Sequence, residues 1–209
     1  MNRAYKFRIY PTREQEILVH KTFGCCRFVY NHMLADKKRA YEEIKKTIKI
    51  TPAAYKKEYP WLKEVDSLAL ANEQLHLERA YRKFFGESKI GFPKFKSKHG
   101  SRKSYTTNVV NGNIRISEGK LRLPKVGTVK IRPHRKIPAG WTLKSVTVSM
   151  DPSGKYYASL LFAFESCENQ AGTVRKEKVL GIDYAMHGMA VLSTGEKCEN
   201  PGYYRQAQK

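Results

Sequence analysis

The segment Ala4-Tyr5-Lys6-Phe7-Arg8-Ile9-Tyr10-Pro11-Thr12 contains the change of pattern on which the fold depends. From Ala4 to Tyr10, apolar and aromatic residues alternate with basic ones, which predicts a half-buried β-strand with one basic face. Pro11 ends this strand, because proline cannot donate a ladder hydrogen bond. We therefore expect the chain to begin with one strand of a sheet that is cationic on one side.

A long helix is predicted directly after this strand. Thr12 and Gln15 form a capping-box pattern at its start. Apolar residues then recur at helical spacing over about 13–46, and Gly24 could bend the helix. Pro52 and Pro60 punctuate a connecting region that leads to a further helix, which Asp66 or Ser67 can cap and which continues to about residue 85.

Short alternating strands broken by Gly, Pro, Asn and Ser follow residue 88. They are predicted at 114–116, 121–123, 129–132, 146–150 and 155–164, with a type I turn at 151–154. Such consecutive hairpins predict an α+β fold whose antiparallel sheet closes as a β-barrel or curls strongly. Because the first strand resembles the later ones, we expect the helices to be an insertion between barrel strands.

These patterns divide the chain into five segments. The first strand covers 1–11, the helical insertion 12–88, and the remainder of the barrel 89–170. A polar, charged linker occupies 171–178, and a new domain begins at 179 and runs to 209.

Charge points to a polyanionic partner. The 209 residues carry a formal net charge of +21, which repels itself unless nucleic acid or counterions screen it. A membrane partner is not expected, since there is no apolar segment of about 20 residues and no amphipathic basic helix. The N-terminus lacks the apolar stretch of a signal peptide, so we expect a cytoplasmic protein.

The four cysteines suggest neither zinc nor disulfides. Cys25 and Cys26 are adjacent, and Cys167 and Cys198 stand alone, so there is no C-x-x-C pair and no disulfide framework. We expect Cys25 and Cys26 to be small buried hydrophobic residues.

Basic residues are concentrated between residues 89 and 136, where Glu118 is the only acid. Alternation places Arg115, Arg122, Lys130 and Arg132 on one face of the predicted strands, as a phosphate backbone would require. The candidate nucleic-acid-binding cations are Lys94, Lys96, Lys98, Arg102, Lys103, Arg115, Arg122, Lys125, Lys130, Arg132 and Arg135.

Two aromatic residues are interleaved with these lysines. Phe92 and Phe95 lie in Gly91-Phe92-Pro93-Lys94-Phe95-Lys96-Ser97-Lys98, a combination that can stack bases while neutralising phosphates. The alternative is that both rings anchor the loop in the core and the lysines are solvated.

Four motifs together resemble the TnpB family, also called OrfB, which accompanies small bacterial insertion sequences and looks like the ancestor of type V CRISPR nucleases. They are the segments 5–12, 23–31, 91–97 and 123–127, in the family's order over essentially the entire chain. The resemblance implies a wedge-domain barrel with an inserted helical recognition unit, followed by a RuvC-like nuclease domain. It also implies a guide RNA from the transposon end and a target DNA with a short adjacent motif as partners, in a bacterial or archaeal nucleoid.

The segment 179–193 resembles the first strand of the RuvC-like, RNase H-like sheet, and Asp183 matches the family's first metal-binding carboxylate, a catalytic Mg²⁺ ligand. Ala185 stands where the family usually has glycine. Only Glu196 and Glu199 are acidic after Asp183, and nothing suggests a second core strand, so we expect 179–192 to be an unpaired sheet edge.

Two-metal phosphodiester cleavage needs carboxylates on both ions, so Asp183 should hold Mg²⁺ only in a complete domain. No zinc site is expected. The first functional hypothesis is therefore a nucleic-acid-binding portion of a TnpB-like RNA-guided DNA endonuclease that does not cut alone. The alternatives are an active nuclease completed by a further C-terminal half, and a nuclease-dead RNA-guided DNA-binding repressor.

Overall fold

The computed structural model describes residues 1–46, 48–100, 102–165, 179–184 and 188–208. The chain divides into two compact units, Met1–Glu165 and Ser166–Lys209. The predicted linker at 171–178, together with Cys167 and Ala185, lies outside the described residues.

The first unit contains a seven-stranded antiparallel sheet with the order β2-β6-β7-β1-β5-β4-β3. Its strands are β1 (Asn2–Tyr10), β2 (Ser104–Asn108), β3 (Arg115–Ser117), β4 (Lys120–Leu123), β5 (Gly127–Arg132), β6 (Thr142–Met150) and β7 (Tyr156–Ala163). β2 and β3 are the two edges, and these described strands do not pair with each other as a closed barrel would require. The sheet of the described residues is therefore open, whereas we expected a closed barrel.

β1 lies at the centre of this sheet, between β7 and β5. Its inward side chains Phe7 and Ile9 are almost fully buried, and Ile9 lies opposite Ile131 of β5 and Tyr156 of β7. The predicted alternation is confirmed, because successive residues of a strand point to opposite faces. One face of β1 is core and the other is basic.

The helices lie in the chain between β1 and β2. They are α1 (Arg13–Ile44), α2 (Pro52–Glu58), a 3₁₀ helix (Pro60–Lys63) and α3 (Ser67–Gly86). Thr12 and Gln15 form the predicted capping box, and Asp66 caps α3 by accepting from the Leu68 N–H. In the connecting region that the two prolines punctuate, Pro52 starts α2 and Pro60 starts the 3₁₀ helix, since proline fits the first turn of a helix.

Helices and sheet share one hydrophobic core. The Asn72 side chain donates to the Thr106 carbonyl of β2, and the buried Thr107 hydroxyl donates to Asp66.

Cys25 and Cys26 are free and buried, as predicted. Burial raises the pKa of Cys26 well above its ordinary value, and burial together with the Glu64 carboxylate raises the pKa of Cys25 to about 11.

The second unit contains a three-stranded antiparallel sheet in the order β10-β9-β8 and a short helix. The elements are β8 (Ile182–Asp183), β9 (Ala190–Leu192), β10 (Lys197–Cys198) and α4 (Tyr203–Ala207). The expected unpaired edge over 179–192 is wrong, because β8 pairs with β9 and β9 with β10. Among the helices of the described residues, none combines the length and apolar character that a membrane span needs.

Candidate nucleic-acid interface

The outer face of β1, β5, β4 and β3 is cationic. In the segments where these four strands pair with one another, the register places six exposed or half-exposed basic side chains on this side, and we call them the cationic face: Arg8, Arg115, Lys120, Arg122, Lys130 and Arg132. Their apolar neighbours along each strand, such as Leu121 and Ile131, are buried. The predicted shared face of Arg115, Arg122, Lys130 and Arg132 follows from these pairings.

Like charges lie directly opposite each other on this face. Arg8 is the cross-strand partner of Arg132, and Lys120 that of Lys130. Arg122 is likewise the partner of Arg115. Directly opposed like charges destabilise a sheet by roughly 0.2–1 kcal/mol per pair. Three such pairs in neighbouring strands are therefore unfavourable for folding unless an anion lies over them.

Carboxylates do not neutralise this face within the described residues. The ion pairs found among the described residues join Lys21 to Glu64, and Lys96 and His76 to Glu73, and none of these residues belongs to the sheet. The buried Nε of Arg8 has no hydrogen-bond partner in the described part of the chain, and its guanidinium carbon lies 5.1 Å from the centre of the Tyr10 ring. The positive charge of the face is thus available to a polyanion.

The Asn31 side chain holds the loop after α3, described at residues 87–100 and 102–103, against α1. The Asn31 side chain donates to the Lys96 carbonyl (2.9 Å) and accepts from the Lys96 N–H (2.8 Å). The Lys96 ammonium contacts the almost fully buried Glu73 carboxylate and lies 4.3 Å from the centre of the Tyr30 ring. Lys96 therefore has partners inside the protein, unlike a cation that faces only solvent.

Three of the other predicted cations of this loop line a small cavity of about 30 Å³. Lys98, Arg102 and Lys103 line it with Arg27 of α1, and these three lysine and arginine side chains of the loop are exposed. Arg27 was not among the predicted residues, since nothing in the local pattern of α1 places it beside residues about 75 positions later; only tertiary packing does. Lys94 is exposed, but does not line the cavity.

The two aromatic candidates differ. The Phe92 ring lies 5.6 Å from Tyr81 and 5.4 Å from Phe84, so it anchors the loop on α3 while remaining 41% exposed. Phe95 is 54% exposed and makes no ring contact with the described residues. Of the two, Phe95 is the better placed to stack on a base.

Lys125 and Arg135 lie outside the paired strand segments that form the cationic face. Lys125 is exposed in the turn between β4 and β5, with a positive φ of 64°. The guanidinium carbon of Arg135, beyond the end of β5, lies 5.9 Å from the centre of the Tyr5 ring. Arg8 and Lys120 belong to the face but were not among the predicted site residues; the alternation of their own strands was the signal for both.

Asp183 lies exposed in β8. Its cross-strand partner in β9 is Val191, whose partner in β10 is Lys197, so this row contains a lysine and no second carboxylate. Glu196 is in the turn before β10, where its carbonyl accepts from the Leu192 N–H. The described residues hold no group of three or more His, Cys, Asp or Glu side chains able to bind a metal ion, so they do not fit a Mg²⁺ pair.

Comparison with known proteins relates these features to a family. Residues 1–46 match the family model HTH_OrfB_IS605, described as "Helix-turn-helix domain". In the structure these residues are a strand and one continuous helix, β1 and α1. The matched segment is therefore not two helices joined by a turn.

Two relatives are similar to nearly the whole of this chain. A Streptomyces pristinaespiralis protein named "Putative RNA-guided DNA endonuclease" is 35% identical over 99% of this chain and 52% of its own length. An Escherichia coli K12 protein named "Putative RNA-guided DNA endonuclease InsQ" is 30% identical over 99% of this chain and 51% of its own length. The chain thus spans about half the length of these two relatives. The Salmonella dublin "Virulence protein VsdF" is 41% identical over 48% of this chain and 97% of its own length.

Proposed function

Because the chain belongs to the TnpB/OrfB family, we propose that it binds nucleic acid through the cationic face, as the N-terminal part of an RNA-guided DNA endonuclease. The observation that carries the proposal is the set of like-charged cross-strand pairs, which a phosphate backbone would stabilise. The ligands are a transposon-derived guide RNA and the target DNA. The names of the two longer relatives support this choice of ligands.

We further propose that the seven-stranded sheet with its helices corresponds to the family's wedge and recognition domains. The three-stranded sheet of the second unit would then be the start of a RuvC-like domain, with Asp183 at the position of its first carboxylate. The strand that carries Asp183 and its pairing with β9 support this assignment.

Charge removal on the cationic face tests nucleic-acid binding. Changing Arg115, Arg122, Lys130 and Arg132 to Gln should weaken binding to structured RNA. The slope of log affinity against log salt should fall by about 1 for each phosphate that these side chains no longer neutralise. The thermal midpoint should stay the same or rise, since exposed cations add little to stability and like-charge pairs are removed.

The matched control removes the same charge from the helices and the 3₁₀ helix, by changing the exposed Lys38, Arg39, Lys57 and Lys63 to Gln. Affinity and slope should change less than in the face variant. Equal losses in both variants, or a large fall in the melting temperature of the face variant, would contradict the proposed interface.

We also propose that a polypeptide of residues 1–209 binds without cutting. Asp183 and the described residues around it do not supply the carboxylates that two metal ions need. In a plasmid assay with guide RNA and Mg²⁺ or Mn²⁺, no metal-dependent cleavage is expected, and Asp183→Ala should leave RNA affinity unaltered. Cleavage that disappears in Asp183→Ala would show that the site is completed by other groups, and would favour the active-nuclease alternative.

A further inference from the structure

Gly24 occupies the middle of α1 without a packing reason. A glycine inside a helix costs about 1 kcal/mol relative to alanine. A Cβ atom added at Gly24 would meet no atom within 4 Å, so no neighbouring element requires the absence of a side chain. The backbone needs no glycine either, because residue 24 lies within continuous helix. The glycine therefore leaves open a space that any other residue would narrow.

This space belongs to a pocket of about 420 Å³ between α1 and the 3₁₀ helix, which we call the Gly24 pocket. One wall is aromatic: Trp61 remains 41% exposed, and its ring centre lies 4.8 Å from that of Phe28. Phe28 is itself fixed between Tyr59 (4.8 Å) and His32 (3.7 Å). Phe28 is thus held in place by its neighbours, and the Trp61 ring, which meets Phe28 edge-to-face, remains exposed to a ligand.

The rim of the pocket is polar. Lys21 and Glu64 form an ion pair of 2.9 Å in which both side chains are about half exposed. Arg27 also lines the pocket, and the same residue lines the small cavity beside Lys98 and Arg102. An aromatic wall, a carboxylate acceptor and an adjoining cluster of cations match the ring, amino groups and phosphate of a nucleotide.

We propose that the Gly24 pocket binds one unpaired nucleobase, with its ring against Trp61 and its phosphate towards Arg27. The proposal rests on the proposed function, because the base belongs to the nucleic acid that the chain binds. The continuity of Arg27 with the basic cavity favours a nucleotide over an aromatic side chain of a protein partner. Duplexed bases cannot enter, so the pocket selects single-stranded segments.

Trp61 fluorescence tests the pocket directly. The chain has two tryptophans, so Trp141→Phe leaves Trp61 as the sole reporter; if that variant does not fold, the difference between the parent and Trp61→Phe supplies the same signal. Single-stranded RNA and millimolar AMP should quench Trp61, whereas a blunt RNA duplex of equal length should not.

Two substitutions of one residue form a matched pair. Gly24→Ala adds helix propensity and leaves most of the pocket open, so it should melt at the same or a higher temperature and retain the quenching. Gly24→Leu fills the pocket, and should lose the quenching and bind single-stranded RNA about tenfold more weakly than Gly24→Ala.

RNA binding is measured separately by mobility shift, which distinguishes the two proposals. If RNA binds without changing Trp61 emission, or Gly24→Leu is quenched as strongly as Gly24→Ala, the pocket proposal is overturned and the proposed function stands. If no RNA binds, the proposed function fails, and the pocket proposal then stands or falls on whether AMP alone quenches Trp61. Stronger quenching by N-acetylphenylalanine amide than by AMP would overturn the nucleobase in favour of a protein partner.

Discussion

Glu73 is a carboxylate that the fold has almost fully removed from water. One of its oxygens contacts the Lys96 ammonium and the other lies 3.3 Å from Nδ1 of His76. A buried charge that loses its partner costs several kcal/mol, since the missing hydration is no longer offset. Lys96 thus stabilises the attachment of the loop to α3, whether or not it also contacts nucleic acid.

Lys96→Met should therefore destabilise the protein by about 3–5 kcal/mol, because it leaves the Glu73 carboxylate without its ammonium partner. For a chain of this size the melting temperature should fall by about 10 °C, as measured by circular dichroism. Lys94→Met, at an exposed position two residues earlier, is the control and should change it little. The double variant Glu73→Gln/Lys96→Met should recover part of the stability; no recovery would argue against the ion pair as the cause.

At the scale of elements, Asn31 joins α1 to the loop after α3 through both polar groups of its amide. Asn31→Asp keeps the acceptor for the Lys96 N–H but replaces the donor with an oxygen that faces the Lys96 carbonyl. We expect a decrease of about 1–3 kcal/mol in unfolding free energy and faster tryptic cleavage within the loop.

Asn111→Asp provides the control, at an exposed turn position with a φ of 50° that aspartate tolerates. It should leave the rate of tryptic cleavage after Lys94 and Lys98 unchanged. If both variants are cut at the same rate, the Asn31 amide does not hold the loop.

Local sequence patterns predicted the elements whose buried side, or whose first residue, can be read from neighbouring residues alone. The alternation of β1 and the capping box of α1 are examples. β2 was missed because it contains mostly Ser and Thr, and its buried Thr107 is stabilised by Asp66, a partner distant in the sequence. The cross-strand pairing of Arg8 with Arg132 could not be predicted either, since register is set by pairing between strands far apart in the chain.

The charge of the whole molecule gives a prediction that does not depend on any single residue. Binding to structured RNA should be tight at low salt and weaken steeply as salt rises, because several cations displace counterions from the phosphates. A filter-binding titration should give a slope of at least about 3 in log affinity against log salt. A smaller slope would mean that, despite the net charge of +21, too few cations contact phosphates at the same time.

The central place of β1 in the sheet also governs how this chain can fold during synthesis. Both strands that flank β1 come much later in the sequence, at Gly127–Arg132 and Tyr156–Ala163. At a translation rate of roughly 5–20 residues per second, β1 waits on the order of 10 s for either partner to leave the ribosome. The helices complete their local contacts in that interval, so the high contact order of the sheet makes closure around β1 the late, slow step. The alternating Lys6 and Arg8 keep β1 soluble until its partner strands are synthesised, as charged residues do on exposed strands.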